Sequence, residues 1–163
     1  MGSPKYLLAH RTRRGVFAVL AALTVAIAAP ATAADEDRER TVGDLRVVLG
    51  VIPAALLTDH PEQHDEATMH GGLPAGRGYY HVLVALFDRR TGQRITEADV
   101  HASVGELGFN PALRDLKPMN AGGVVTFGNF FAMPDTGPYQ ITVTVRTPKS
   151  PAPVDVRFVH SHQ

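Results

Sequence analysis

The strongest constraint on the fold is a period of two. Across residues 139–146, Tyr139, Ile141, Val143 and Val145 fall on one side, and Gln140, Thr142, Thr144 and Arg146 on the other. Successive side chains of a strand point to opposite faces, so this run reads as a half-buried antiparallel strand. Five further runs have strand character: residues 45–52, 79–88, 99–106, 124–131 and 154–160, separated by Gly, Pro and Asp. Residues 88–93 and 147–153 carry the turn chemistry needed to reverse the chain between strands. Helical periodicity is absent except for single turns at 53–57 and 111–116. An all-β, antiparallel β-sandwich of six to seven strands follows.

A local motif sharpens the architecture. Asp135-Thr-Gly137-Pro-Tyr139 resembles the D-x-G-x-Y corner of immunoglobulin-like sandwiches, in which a tyrosine near the start of the penultimate strand hydrogen-bonds back across the corner. It favours an Ig-like sandwich over a closed barrel.

Residues 1–33 read as a cleavable secretory signal helix. Lys5, Arg11, Arg13 and Arg14 precede an apolar run at 15–29, and Ala31-Thr32-Ala33 fits a small-residue cleavage site. The run is about fifteen residues, shorter than the roughly twenty needed to span a bilayer, so no stable membrane span is expected after cleavage. Sec and twin-arginine export both remain open. Removing 1–33 leaves twelve basic against sixteen acidic residues, a balance that argues against nucleic acid as partner. The expected organisation is a flexible tail at 34–43, with the charged run 35–40 in solvent, and a single sandwich domain at 44–163. A periplasmic or secreted location follows.

The chain has eight histidines and no cysteine. Imidazole and thioether without thiolate is a donor set that suits copper in an oxidising compartment. His60, His64, Met69 and His70 lie in the long connection 53–78, where Gly71-Gly72 would let the chain close on an ion. That stretch reads equally as a polar, solvated loop. His81 has the parity of Leu83, Ala85 and Phe87, near the start of its strand. Met119 sits in a loop-like context, Lys117-Pro-Met-Asn120, and is a better ligand candidate than Met133, which borders Phe130 and Phe131 and reads as packed. His160 and His162 share a side at the end of the last strand and form either a metal clasp or a frayed end. His101 reads as solvent-facing. Thioether with imidazole suits Cu(I), imidazole alone Cu(II) or zinc, and iron is a further possibility.

No G-x-S-x-G or H-E-x-x-H pattern, thiol nucleophile or phosphate loop is present, so a non-enzymatic role is expected. Residues 79–88, the Thr91-Gly92 turn, Ala98-Asp99-Val100, Met119 before a Gly pair and Gly137-Pro-Tyr-Gln-Ile-Thr-Val resemble small exported bacterial proteins of the YtkA-like and FixH-like kind. They are more distantly similar to periplasmic iron-transport-associated proteins that hold copper through His and Met. The resemblance implies an Ig-like sandwich, a role in metal delivery, resistance or uptake, and a metalloprotein acceptor or membrane transporter as partner. His81 and Met119 are the residues it carries over. The competing expectation is an Ig-like interaction module that docks on a transporter or envelope complex without using metal.

Overall fold

The computed structural model describes residues 38–57, 72–121 and 123–162, all within one compact unit, Ala31–Gln163. The proposed signal at 1–33, together with His60, His64, Met69 and His70, lies outside the described residues.

Ten strands are present among the described residues: β1 Glu39–Val42, β2 Leu45–Pro53, β3 Tyr79–Asp88, β4 Arg94–Ile95, β5 Asp99–Glu106, β6 Ala112–Asp115, β7 Lys117–Ala121, β8 Val124–Ala132, β9 Tyr139–Thr147 and β10 Ser150–His160. They form two sheets. One has the order β1-β2-β3-β8-β7, with β4 also paired to β3, and the other the order β10-β9-β5-β6. The pairings are antiparallel, and the result is an Ig-like β-sandwich.

Alternation builds the core. Val47 and Leu49 of β2, Val82, Val84 and Leu86 of β3, and Phe127 and Phe131 of β8 face Val100, Ala102 and Val104 of β5, Ile141, Val143 and Val145 of β9, and Val156 and Phe158 of β10. Apart from Ala102, each of these apolar side chains contributes roughly 1.5–3 kcal/mol on burial. The D-x-G-x-Y motif forms the expected corner, in which the Asp135 backbone N–H donates to the Tyr139 hydroxyl at 3.0 Å. Gly137 has φ +95° and precedes a cis proline, a backbone that only glycine adopts without strain.

Three expectations are corrected. The charged stretch read as a flexible tail contains β1, whose Arg46–Glu39 ion pair to β2 at 3.3 Å and Arg40 guanidinium over the Phe158 ring make it a charged edge strand. Residues 111–116 hold an edge strand, β6, exposed along its whole length, in place of a helical turn. The Met119 segment is strand β7, paired Lys117↔Gly128 to Ala121↔Val124. With β4, these short edge elements account for the strands beyond the six or seven expected. The turn at 53–57 appears as a 3-10 turn, Ala54–Leu57.

Candidate metal centre

In a two-layer sandwich the outward face of each sheet is ordinarily solvated. The β1-β2-β3-β8-β7 sheet departs from this at one end. Ala54 and Leu57, following β2, pack on Phe130 with Ile52, Leu73 and Tyr79 to form a second, small apolar cluster. Phe130 pairs directly with His81, and Ile52 pairs with His81 from the other side. His81 thus has the parity of Leu83, Ala85 and Phe87, yet it is 0% exposed. Its ring tilts against Phe130 with centroids 4.7 Å apart. At the opposite end of the same face, Arg46 and Arg94 lay their guanidinium groups over Phe87 at 4.3 and 4.6 Å.

Register then determines which side chains meet. Strand β8 runs between β3 and β7, with Leu83↔Gly128 on one side and Lys117↔Gly128 on the other. His81 and Met119 therefore rise from strands two apart, a backbone gap of roughly 9–10 Å at ordinary strand spacing. Gly128, between them, has no side chain to fill that gap. A Cβ built there would lie 2.6 Å from His81 Nε2 and 2.9 Å from Met119 Sδ, so the imidazole and thioether converge on one point above the glycine. Met119 is 3% exposed, and its cross-strand neighbour Thr126 is 9% exposed.

The donor set fits copper. One imidazole nitrogen and one thioether sulfur approach each other in an enclosed site, with no thiol anywhere in the chain. Among the described residues no group of three or more His, Asp or Glu side chains is placed to hold an ion, and His81 and Met119 are the two donors that meet above Gly128. Gly128 is the residue that the sequence reading overlooked. An isolated glycine inside a strand, here between Phe127 and Asn129, is the signal that would have found it, because such a position marks close approach of other groups to the backbone.

The other sequence candidates are placed as follows. His160 and His162 are remote from His81 in orientation: Tyr80 and His81 are consecutive in β3 and point to opposite faces, and His162 stacks on Tyr80 with centroids 4.4 Å apart. Burial, followed by the neighbouring His162 and Arg38, holds the His160 pKa below the usual imidazole value. His101 is solvent-facing and bonded through Nδ1 to Asp115 Oδ1 at 2.8 Å. Met133 is fully buried in the main core.

No family model matches the chain, and no curated protein matches it. Solved structures do. A DUF4426 family protein from Pseudomonas aeruginosa PAO1 superposes with a TM-score of 0.58 at 17% identity, covering 76% of this chain and 92% of that one. FetP from uropathogenic Escherichia coli strain F11 is similar in two crystal structures, each with a TM-score of 0.58, 15% identity and 76% of this chain covered. One is a copper-bound variant, with 93% of that chain covered, and the other is the protein as isolated, with 91% covered. Nothing in these comparisons supports the narrower YtkA-like or FixH-like naming. At such identities they establish a shared fold, an Ig-like sandwich of the kind that FetP and the DUF4426 protein adopt.

Proposed function

We propose that this is an exported, non-enzymatic copper-binding protein that acts in metal delivery, resistance or uptake. The observation that carries the reading is the meeting of His81 Nε2 and Met119 Sδ above Gly128. Two side chains from strands two apart would not reach over a third strand unless that strand offered an open position. The pairing of a soft thioether with an imidazole favours Cu(I). Further ligands would come from Met69, His70, His60 or His64, which precede β3 in the connection from β2. The copper-bound state of FetP, a protein of similar fold, supports the same reading. FetP expressed in the periplasm, in the second of these structures, supports a periplasmic location for this chain.

Titration of the protein with Cu(I) and Cu(II) against a competing chelator tests the proposal. Binding should weaken at least tenfold in His81→Gln and in Met119→Leu. Equal affinity in both variants and the parent would remove this pair from the site. Since a protonated imidazole cannot bind metal, affinity should also fall from about pH 7.5 to about pH 5.5 if histidine dominates.

A second reading, an interaction module docking on a transporter or envelope complex, draws on a different feature. Leu107, Phe109 and Leu113, on and before edge strand β6, are 60%, 72% and 72% exposed. Apolar side chains beside an open strand edge are a usual site of association. Under this reading, charging Phe109 and Leu113 abolishes function in cells while copper affinity is unchanged.

A further inference from the structure

The end of the last strand holds a feature that the His81–Met119 pair leaves unexplained. His160 continues the inward parity of Val156 and Phe158 in β10 and pairs with Tyr139 of β9. Two residues on, His162 is anchored by its backbone N–H, which donates to the Thr136 carbonyl at 3.2 Å. Its ring is stacked on Tyr80 and lies 5.7 Å from Tyr139 with an interplanar angle of 14°. His160 Nε2 and His162 Nδ1 are both closed off from solvent and have no hydrogen-bond partner among the described residues. Such an orphaned buried group costs about 1–3 kcal/mol. Two of them on neighbouring rings is a costly arrangement.

We infer that His160 and His162 form a second copper site, a two-imidazole clasp for Cu(I), separate from the His81–Met119 pair. The ring centroids are 5.8 Å apart. With metal–nitrogen bonds of about 2.0–2.1 Å, two imidazoles that share one ion place their centroids roughly 5–6.5 Å apart, the upper end for a near-linear pair of donors, so the observed spacing needs little adjustment. The number of donors selects the ion. Two neutral nitrogen donors suffice for Cu(I), whereas Zn(II) in a structural site calls for four ligands. The stacked tyrosines shield the clasp on the His162 side. Because Tyr80 and His81 point to opposite faces of β3, the two sites lie on opposite sides of one strand.

Silver(I), which shares the d10 configuration of Cu(I) and is not oxidised by air, is the probe. It is titrated into the purified protein, with imidazole nitrogens followed by nitrogen-15 NMR and tyrosine emission followed in parallel. The chain contains four tyrosines and no tryptophan, so no indole masks the emission of Tyr80 and Tyr139, and its change on silver addition is compared with that of His162→Phe. The parent protein should show His160 Nε2 and His162 Nδ1 shifting on silver addition. His162→Phe keeps an aromatic ring in the stack while removing the nitrogen, and should bind one fewer equivalent than the parent with the His81 nitrogens still responding. His160→Asn should lose the same equivalent. In the His81→Gln, Met119→Leu double variant the clasp signals should persist. Failure of those signals to move in the parent, or full silver stoichiometry in His162→Phe, would overturn the inference. Loss of the His81 response alone would count against the first site and leave the clasp supported.

Discussion

His81 Nε2 lies 2.6 Å from the point where a Cβ on Gly128 would sit. That separation is below any real carbon–nitrogen contact, so the imidazole occupies the space that every residue except glycine would fill. The same point is 2.9 Å from Met119 Sδ. The glycine is thus a condition for the two donors to meet.

Gly128→Ala should therefore reduce copper affinity at least tenfold while lowering stability by about 1–3 kcal/mol through overpacking. Gly50→Ala is the matched control. Its Cβ would approach the Leu83 side chain at 2.8 Å on the same sheet face, a clash with a flexible apolar group and not with a donor. Chelator competition and denaturant unfolding on both variants separate the effects. Equal copper affinity in Gly128→Ala and Gly50→Ala would refute the cradle.

Met119→Leu nearly conserves volume at a buried position, so stability should change by less than about 1.5 kcal/mol. Copper affinity should respond selectively. Cu(I) binding is expected to weaken at least tenfold and Cu(II) binding much less, because the thioether is the soft ligand. Parallel titrations with the two oxidation states decide it.

Tyr139→Phe removes the acceptor for the Asp135 N–H and should cost about 1 kcal/mol, with up to about 3 if the N–H is left without a partner. Burial raises the Tyr139 pKa above its ordinary value of 10.0. The folded state therefore resists ionisation, and the associated stability is present below pH 10 and lost as pH rises through the folded value. Thermal unfolding between pH 8 and pH 11 should fall more steeply for the parent than for Tyr139→Phe.

Asp115 has its pKa lowered from 3.8, first by the hydrogen bond from His101 and further by Lys117. A depressed carboxylate contributes stability above its unfolded pKa that is lost as pH falls through the folded value. Acid unfolding below about pH 4 should be shallower in Asp115→Asn, which ties β6 to β5 and β7 without a titrating group. An unchanged acid limb in that variant would show that the surface network carries no linkage.

Much of the fold was legible because burial imposes a period. The strand at 79–88 and the strand at 99–106 are found with the boundaries that their alternation and flanking turns indicate. The corner at Asp135–Tyr139 was equally readable, since its glycine, proline and tyrosine act locally. Strands β6 and β7 were not. Every residue of β6 is exposed, so no buried set marks a face. Strand β7 contains Pro118, which reads as a strand breaker but is tolerated at a sheet edge, where one backbone N–H can be spared. Met119 was singled out for its chemistry in spite of a loop assignment that the structure corrects.

By itself the sequence determined the ingredients: short alternating strands, a corner motif, imidazoles and thioethers without thiols, and the face of β3 on which His81 lies. These follow from one-dimensional pattern, because the two-residue period of a strand is a property of the chain alone. Only the tertiary structure decided that β8 separates β3 from β7, that Gly128 falls where the two donors cross, and that a small apolar cluster shuts the outward face over His81. Strand order and register arise from long-range pairing, and the 35 residues between β3 and β8 carry no local signal of which strands become neighbours.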